Sequence, residues 1–102
     1  MEDIYFEFDS SDMSDAARST LDQDYECYKK KGGPLRVEGH CDPRGTTEYN
    51  LGLGDRRARF IAKALNTLGV EQSQMSIVSK GEEEAVGTDE AGWVKDRKVV
   101  FK

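Results

Sequence analysis

Residues Gly39 to Ala58 read GHCDPRGTTEYNLGLGDRRA. They place one His, one Cys, three acids and three arginines within twenty positions, the densest run of reactive groups in the chain. Such a set could ligate a metal, supply a nucleophile or recognise a charged ligand. A zinc site needs three or four ligands at suitable spacing, and His40, Cys41 and the distant Cys27 do not supply them. A His40–Cys41 catalytic pair fails on geometry, because neighbours on a strand point to opposite faces and cannot share a proton. Cys41 then reads as a small apolar core residue. His40, the only His, reads as a hydrogen-bonded structural or surface residue. Recognition of a charged ligand remains, with Asp42 and the arginines as its groups. Plainer readings stay open beside it: Asp42 as a cap of the loop toward Thr46 and Thr47, and Arg57 in a surface ion pair with Glu48 or Asp55.

The bulk properties narrow the field. A length of 102 residues suits one domain over residues 1–102 and is short for two. Hydrophobic residues make up 36% and charged residues 34%. The apolar ones recur periodically, so a small core is expected rather than disorder. The net charge of −5 lacks the basic field of a nucleic-acid binder. No apolar run approaches a membrane span, and no signal peptide is visible. Cys27 and Cys41 are too few for a disulfide framework. Placed late in a helix and late in the next strand, they sit at different heights, and no bond between them is expected.

Those groups must be held by regular elements. Ile4 to Asp9 (IYFEFD) alternates Ile4, Phe6 and Phe8 with polar neighbours, a half-buried strand. Ser14 is a good N-cap for a helix with the stripe Ala17, Leu21, Tyr25 and Tyr28. Lys29 to Lys31 crowd its C-terminal end, and Gly32-Gly33-Pro34 stop it. LRVEGHCD is a second strand, with Leu35, Val37, Gly39 and Cys41 on one face and Arg36, Glu38, His40 and Asp42 on the other. A loop with Pro43 and Gly45 leads to a long helix ending at Gly69. Gly52 and Gly54 weaken its early part, which predicts a loose turn over Tyr49 to Leu53 and a fresh start near Asp55. MSIVSKGE is a third strand, GEEEAVGTDEAGW a turn-rich loop, and RKVVFK a last strand with Val99 and Phe101 inward. Trp93 reads as a core plug. The order β-α-β-α-β-β predicts an α/β (α+β) two-layer sandwich with a mixed sheet: the first two strands parallel, the last two joined by a loop that would allow them to pair antiparallel.

In that arrangement Asp9 ends the first strand and Asp42 the second, at one edge of the sheet. Ligands of such folds bind outside the carboxyl ends of parallel strands. A helix restarting near Asp55 brings Arg56, Arg57 and free backbone N–H groups to that edge. A ligand carrying both ammonium and carboxylate, as an amino acid does, would satisfy both signs. Arginine suits the carboxylate through its planar fork.

The stretch also closely resembles the signature of the OmpA-like peptidoglycan-binding domain, in the form found in peptidoglycan-associated lipoproteins. The pattern G-H-T-D-x-R-G-T-x-E-Y-N-x-x-L-G-x-R-R-A is met by Gly39, His40, Asp42, Arg44, Gly45, Thr46, Glu48, Tyr49, Asn50, Leu53, Gly54, Arg56, Arg57 and Ala58. IYFEFDSSDMS is similar to the family's opening strand, Leu68 to Glu83 to its third strand and DEAGWVKDRKV to its closing segment, so the likeness covers nearly the whole chain. The resemblance implies noncovalent binding of peptidoglycan through the meso-diaminopimelate of its stem peptide, with no bond made or broken and no cofactor or metal. By similarity, Asp42 would hold the diaminopimelate ammonium and Arg57 its carboxylate. Leu53 would pack on the aliphatic part, and Phe8 and Asp9 would line the pocket. It further implies a TolB-like periplasmic partner meeting the same loops, with His40, Arg44, Thr46, Glu48 and Tyr49 as contacts. The implied location is the periplasm, tethered to the outer membrane by an N-terminal lipid anchor that this sequence does not include. A wall anchor of the porin or flagellar-motor kind is the alternative within the family. Three departures stand out: Cys41 replaces a usual Thr, Pro43 replaces a charged residue, and Asp96 replaces an Asn before Arg97. The last bears on a hydrogen bond near the closing strand.

Overall fold

Strand β1 is shorter than its alternation predicts. In the computed structural model, which describes residues 1–102, it comprises only Ile4–Tyr5. Phe6 remains tied to the sheet through its N–H to the Arg97 carbonyl (2.9 Å). The chain then turns, with Ser10 N–H bonded to Glu7 O and Asp9 in the left-handed region at φ 56°. Ile4 and Phe6 are buried as expected, whereas Phe8 is 55% exposed. The turn aims the carbonyls of Glu7 and Ser10 inward, where Arg57 collects them.

Helix α1 (Asp15–Lys31) has the predicted ends. Ser14 Oγ accepts from Ala17 N–H (3.1 Å), and Gly32, at φ 66°, closes on Tyr28 O (2.7 Å). Strand β2 is Leu35–His40. Its second face is not solvated as its polar residues suggest: Glu38 and His40 are buried with Arg36, His40 and Lys102 within 3.5 Å of the Glu38 carboxylate.

Helix α2 runs unbroken from Thr47 to Leu68. The loose turn and the restart at Asp55 do not occur. Thr46 caps the helix by accepting from Tyr49 N–H (3.1 Å), and Asp55 pairs with Arg59 one turn on (2.8 Å). The glycines are tolerated for a tertiary reason. A Cβ on Gly54 would lie 2.5 Å from Ser79 Oγ and 2.9 Å from Gly39 O, and one on Gly39 would overlap the Gly54 carbonyl. Helix and strand thus touch backbone to backbone, and the packing gained offsets the roughly 1 kcal/mol that glycine costs a helix.

A 3-10 turn (Gln72–Gln74) leads into β3 (Met75–Gly81). The segment read as a loop contains a short helix α3 (Glu90–Asp96), capped by Asp89 accepting from Gly92 N–H (3.0 Å). Strand β4 is Lys98–Phe101.

The sheet order is β1-β4-β2-β3. β2 and β3 are parallel, and β4 is antiparallel to both β2 and β1. β1 and β2 therefore share a direction, as predicted, but β4 lies between them. The pairing that the loop would allow the last two strands is not made, because β4 fills the gap left by the crossover through α1. Helices α1 and α2 cover one face, and Leu21, Val37, Ile61, Leu65 and Val99 form the centre of the shared core. The result is a two-layer α/β sandwich with a mixed sheet.

Candidate functional site

The β1–α1 turn, the loop after β2 and the first turns of α2 enclose a pocket of about 170 Å³. Asp42, Arg57, Leu53, Phe8 and Asp9 all line it, together with Cys41, Arg44, Gly45, Tyr49 and Asn50. The predicted gathering at one sheet edge is present, but the means differ. Arg57 lies well inside α2 rather than in its first turn, and it reaches the pocket by its own length.

Arg57 is fully buried. Its Nε donates to Ser10 O (2.8 Å), Nη1 to His40 O (2.9 Å) and to Cys41 Sγ (3.5 Å), and Nη2 to Glu7 O (3.0 Å). No carboxylate pairs with it, so the surface ion pair with Glu48 or Asp55 is not formed. Burial pulls its pKa down from the usual arginine value, as expected for a cation held by neutral carbonyls.

Asp42 is 4% exposed and saturated with donors. Oδ1 accepts from Arg44 N–H (3.0 Å) and Nε (3.2 Å), and Oδ2 from Arg44 Nη2 (2.8 Å) and Arg97 Nη1 (3.4 Å). Burial pushes its pKa up, but the hydrogen bonds from Arg44 and Arg97 outweigh that and hold it below the usual carboxylate range. Asp42 caps the Arg44 turn rather than Thr46 or Thr47.

Arg97 and Asn50 are site residues that the sequence reading did not single out. Arg97, 3% exposed, donates from Nε to Phe6 O (2.9 Å) and from Nη2 to Glu90 Oε1 (3.1 Å). Asn50 spans Asp42 O (3.4 Å) and Glu82 Oε1 (3.1 Å). Asn50 lies within the matched signature, whereas the contact of Arg97 with Asp42 spans 55 residues and has no local signal. Trp93 is half-buried; its ring carries the Arg44 guanidinium, with Phe8 on another side at 3.8 Å from ring centre to Arg44 Cζ. Tyr49, exposed at the pocket mouth, donates its hydroxyl to Asp9, which raises the phenol pKa. Of the other predicted contacts, Thr46 serves as the α2 cap and Glu48 is exposed in the first turn. His40 is buried beside Glu38 on the other side of the sheet.

Covalent chemistry finds little here. Burial raises the Cys41 pKa, and its thiol donates to Asn50 O (3.2 Å), so the thiolate is disfavoured. The only His faces away. Cys27 and Cys41 are free thiols, one exposed and one buried. The pocket offers instead a buried anion and a buried cation with an apolar side chain, Leu53, beside them: a site for noncovalent recognition of a ligand bearing both charges.

Comparison with known proteins identifies the family of the chain. The chain is 43% identical over 101 residues to a peptidoglycan-associated lipoprotein of Pseudomonas aeruginosa, covering 97% of this chain and 60% of that protein. It is 35% identical over 99 residues to the protein of that name from Legionella pneumophila, covering 94% and 56%. The chain thus spans about 60% of the length of curated relatives that it matches. Among solved structures, the peptidoglycan-associated lipoprotein of Burkholderia pseudomallei superposes with a TM-score of 0.88 at 38% identity, over 100% of this chain and 91% of that one. The C-terminal domain of Helicobacter pylori MotB superposes with a TM-score of 0.89 at 20% identity, over 100% and 83%, a likeness of fold. Residues 5–98 match the OmpA family, and the chain belongs to it.

Proposed function

We propose that residues 1–102 act as one peptidoglycan-binding unit that takes the meso-diaminopimelate of a stem peptide into the pocket between β1, the β2–α2 loop and α2. In a longer envelope protein this unit would hold the outer membrane to the wall from the periplasm. The observation that carries the reading is the juxtaposition of Asp42 and Arg57 in one pocket without an ion pair between them. Asp42 takes the ammonium. Arg57 has five N–H donors, and the one its protein partners leave over turns to the ligand carboxylate. Leu53 packs on the methylenes between the two charges, while Phe8 and Asp9 shape the wall. Membership of the OmpA family and relatives named for their association with peptidoglycan support this reading.

Calorimetric titration with a soluble muropeptide carrying meso-diaminopimelate, beside its lysine analogue, tests it. The lysine stem lacks the side-chain carboxylate, and loss of that charge-assisted bond costs on the order of 1.5–3 kcal/mol. Binding of the first ligand in preference to the second, abolished by Asp42→Ala in protein of native stability, is expected. Equal binding of both ligands would sink the assignment of Arg57.

A second reading has its own observation. Phe8 and Tyr49, 55% and 46% exposed, flank the pocket mouth and offer apolar surface to a protein. A TolB-like periplasmic partner seated there would cover the pocket, so muropeptide and partner would compete.

A further inference from the structure

We propose that Arg44 occupies the ammonium subsite of the free domain and that Glu90, on α3, receives it when a ligand ammonium arrives. This rests on the binding reading above and adds a step to it.

A carboxylate has about four lone-pair positions. At Asp42 all are taken: three by Arg44 through its backbone N–H, Nε and Nη2, and one by Arg97. An incoming ammonium finds no free acceptor until a donor leaves. Arg97 is the poorer candidate, being 3% exposed and fixed by its bond to Phe6 O. Arg44 is placed to leave. Its side chain is 30% exposed, and Nη2 already lies 3.5 Å from Glu90 Oε2.

Four charges of alternating sign close a ring: Asp42, Arg44, Glu90 and Arg97, with Arg97 Nη2 3.1 Å from Glu90 Oε1. A guanidinium that leaves Asp42 along this ring keeps a carboxylate partner throughout. The rings of Phe8 and Trp93, 3.8 and 4.3 Å from Arg44 Cζ, give it faces on which a cation stays attracted as it shifts. The backbone beside it can accommodate the change, since Gly45 sits at φ 94° immediately after Arg44. Arg44 is thus an internal competitor for the ligand ammonium, and Glu90 lowers the cost of displacing it.

The two residues then have opposite effects on affinity, although both lie in one ion-pair ring. The meso-diaminopimelate muropeptide is titrated calorimetrically into wild type, Arg44→Met, Glu90→Gln and the double variant at one salt concentration, after thermal melts confirm each is folded. Arg44→Met is expected to bind about tenfold tighter, as removal of a dominant competing state requires. Glu90→Gln is expected to bind about threefold weaker, the scale of a partly exposed pair. The double variant should bind like Arg44→Met, because Glu90 has no arginine left to receive. Trp93, the only tryptophan, supplies a second readout: its emission should change on ligand binding in wild type and not in Arg44→Met. Wild-type binding with equal or weaker binding by Arg44→Met overturns this inference alone and makes Arg44 a ligand contact or a bystander. Absence of binding in both wild type and Arg44→Met removes the diaminopimelate reading and this inference with it.

Discussion

Asp42 and Arg57 line the same pocket yet do not pair. Asp42 is held by Arg44 and Arg97, and Arg57 by the carbonyls of Glu7, Ser10 and His40. Each charge is therefore stabilised on its own before any ligand comes. The arrangement also makes Arg57 a structural tie, since its three carbonyls belong to the β1–α1 turn and to the end of β2.

That tie predicts a large stability effect at a residue of the candidate site. Arg57→Met leaves buried carbonyls without donors and should cost about 3–5 kcal/mol, with each orphaned group worth about 1–3 kcal/mol. Arg57→Lys retains a cation with fewer, differently placed donors and should recover part of the loss. Urea denaturation of both variants provides the check. A midpoint for Arg57→Met equal to that of wild type would mean that the turn is held by something else.

The glycines of α2 give a contrast of sign within two residues. Gly52 is open, since a Cβ added there would find its nearest neighbour, Arg56 Nη1, at 3.5 Å, whereas a Cβ on Gly54 meets Ser79 Oγ and Gly39 O. Gly52→Ala should stabilise by up to about 1 kcal/mol through helix propensity. Gly54→Ala should destabilise by about 1–3 kcal/mol, the usual cost of overpacking. Thermal melts that moved in the same direction for both would contradict the backbone contact between Gly39 and Gly54.

What was legible in the sequence is what local chemistry decides. The caps of α1 at Ser14 and Gly32, the direction of β2 and the core positions Leu21, Val37, Ile61 and Val99 follow from turn residues and periodicity. Asp9, Asp42 and Arg57 were expected at one sheet edge from the strand and helix order, Leu53 and Phe8 beside them only through the family resemblance, and all five line one pocket. The departures are made at a distance. β1 stops early because Arg57, about fifty residues on, draws in the Glu7 and Ser10 carbonyls. α2 continues through Gly54 because Gly39 lies against it, and its buried stripe, Asn50, Leu53, Gly54, Arg57, Ala58, was masked by polar members. Arg97 reaches Asp42 only after β4 inserts between β1 and β2. The partners of Arg57 and of Arg97 lie about fifty residues away, and although Gly39 and Gly54 share one stretch of sequence, no periodicity shows that their backbones touch.

The buried His40 predicts a pH dependence of stability. Burial lowers its pKa below the ordinary value of 6.5, a shift that the nearby Glu38 and Glu84 oppose and that Lys98 on β4 reinforces. Between the folded value and 6.5 the unfolded chain binds a proton that the native protein does not. Stability therefore falls as pH drops from 6.5 through that window, at no more than about 1.4 kcal/mol per pH unit, and His40 contributes no further loss below it. Denaturant titrations from pH 7.5 to 5 should show the decline in wild type and a flatter profile in His40→Gln. An unchanged slope in the variant would assign the decline to another group.

The departure at Asp96 is answered by the segment before α3. Asp96 is buried, and its two oxygens accept from Val86 N–H (3.1 Å) and Gly87 N–H (2.8 Å), so both neighbouring amides are satisfied by one carboxylate. An amide side chain has a single acceptor oxygen. Asp96→Asn would set its NH2 against one of those N–H groups and should cost about 1–3 kcal/mol. Because Glu90 and Arg97 flank the same short helix, the loosening should reach the ion-pair ring at Asp42. Amide hydrogen exchange on Asp96→Asn is expected to accelerate at Val86 and Gly87 while Ile61 and Leu65 in α2 stay protected. Acceleration spread evenly over α2 would instead indicate global destabilisation, and exchange at Gly87 no faster than in wild type would show that Asp96 does not hold the segment.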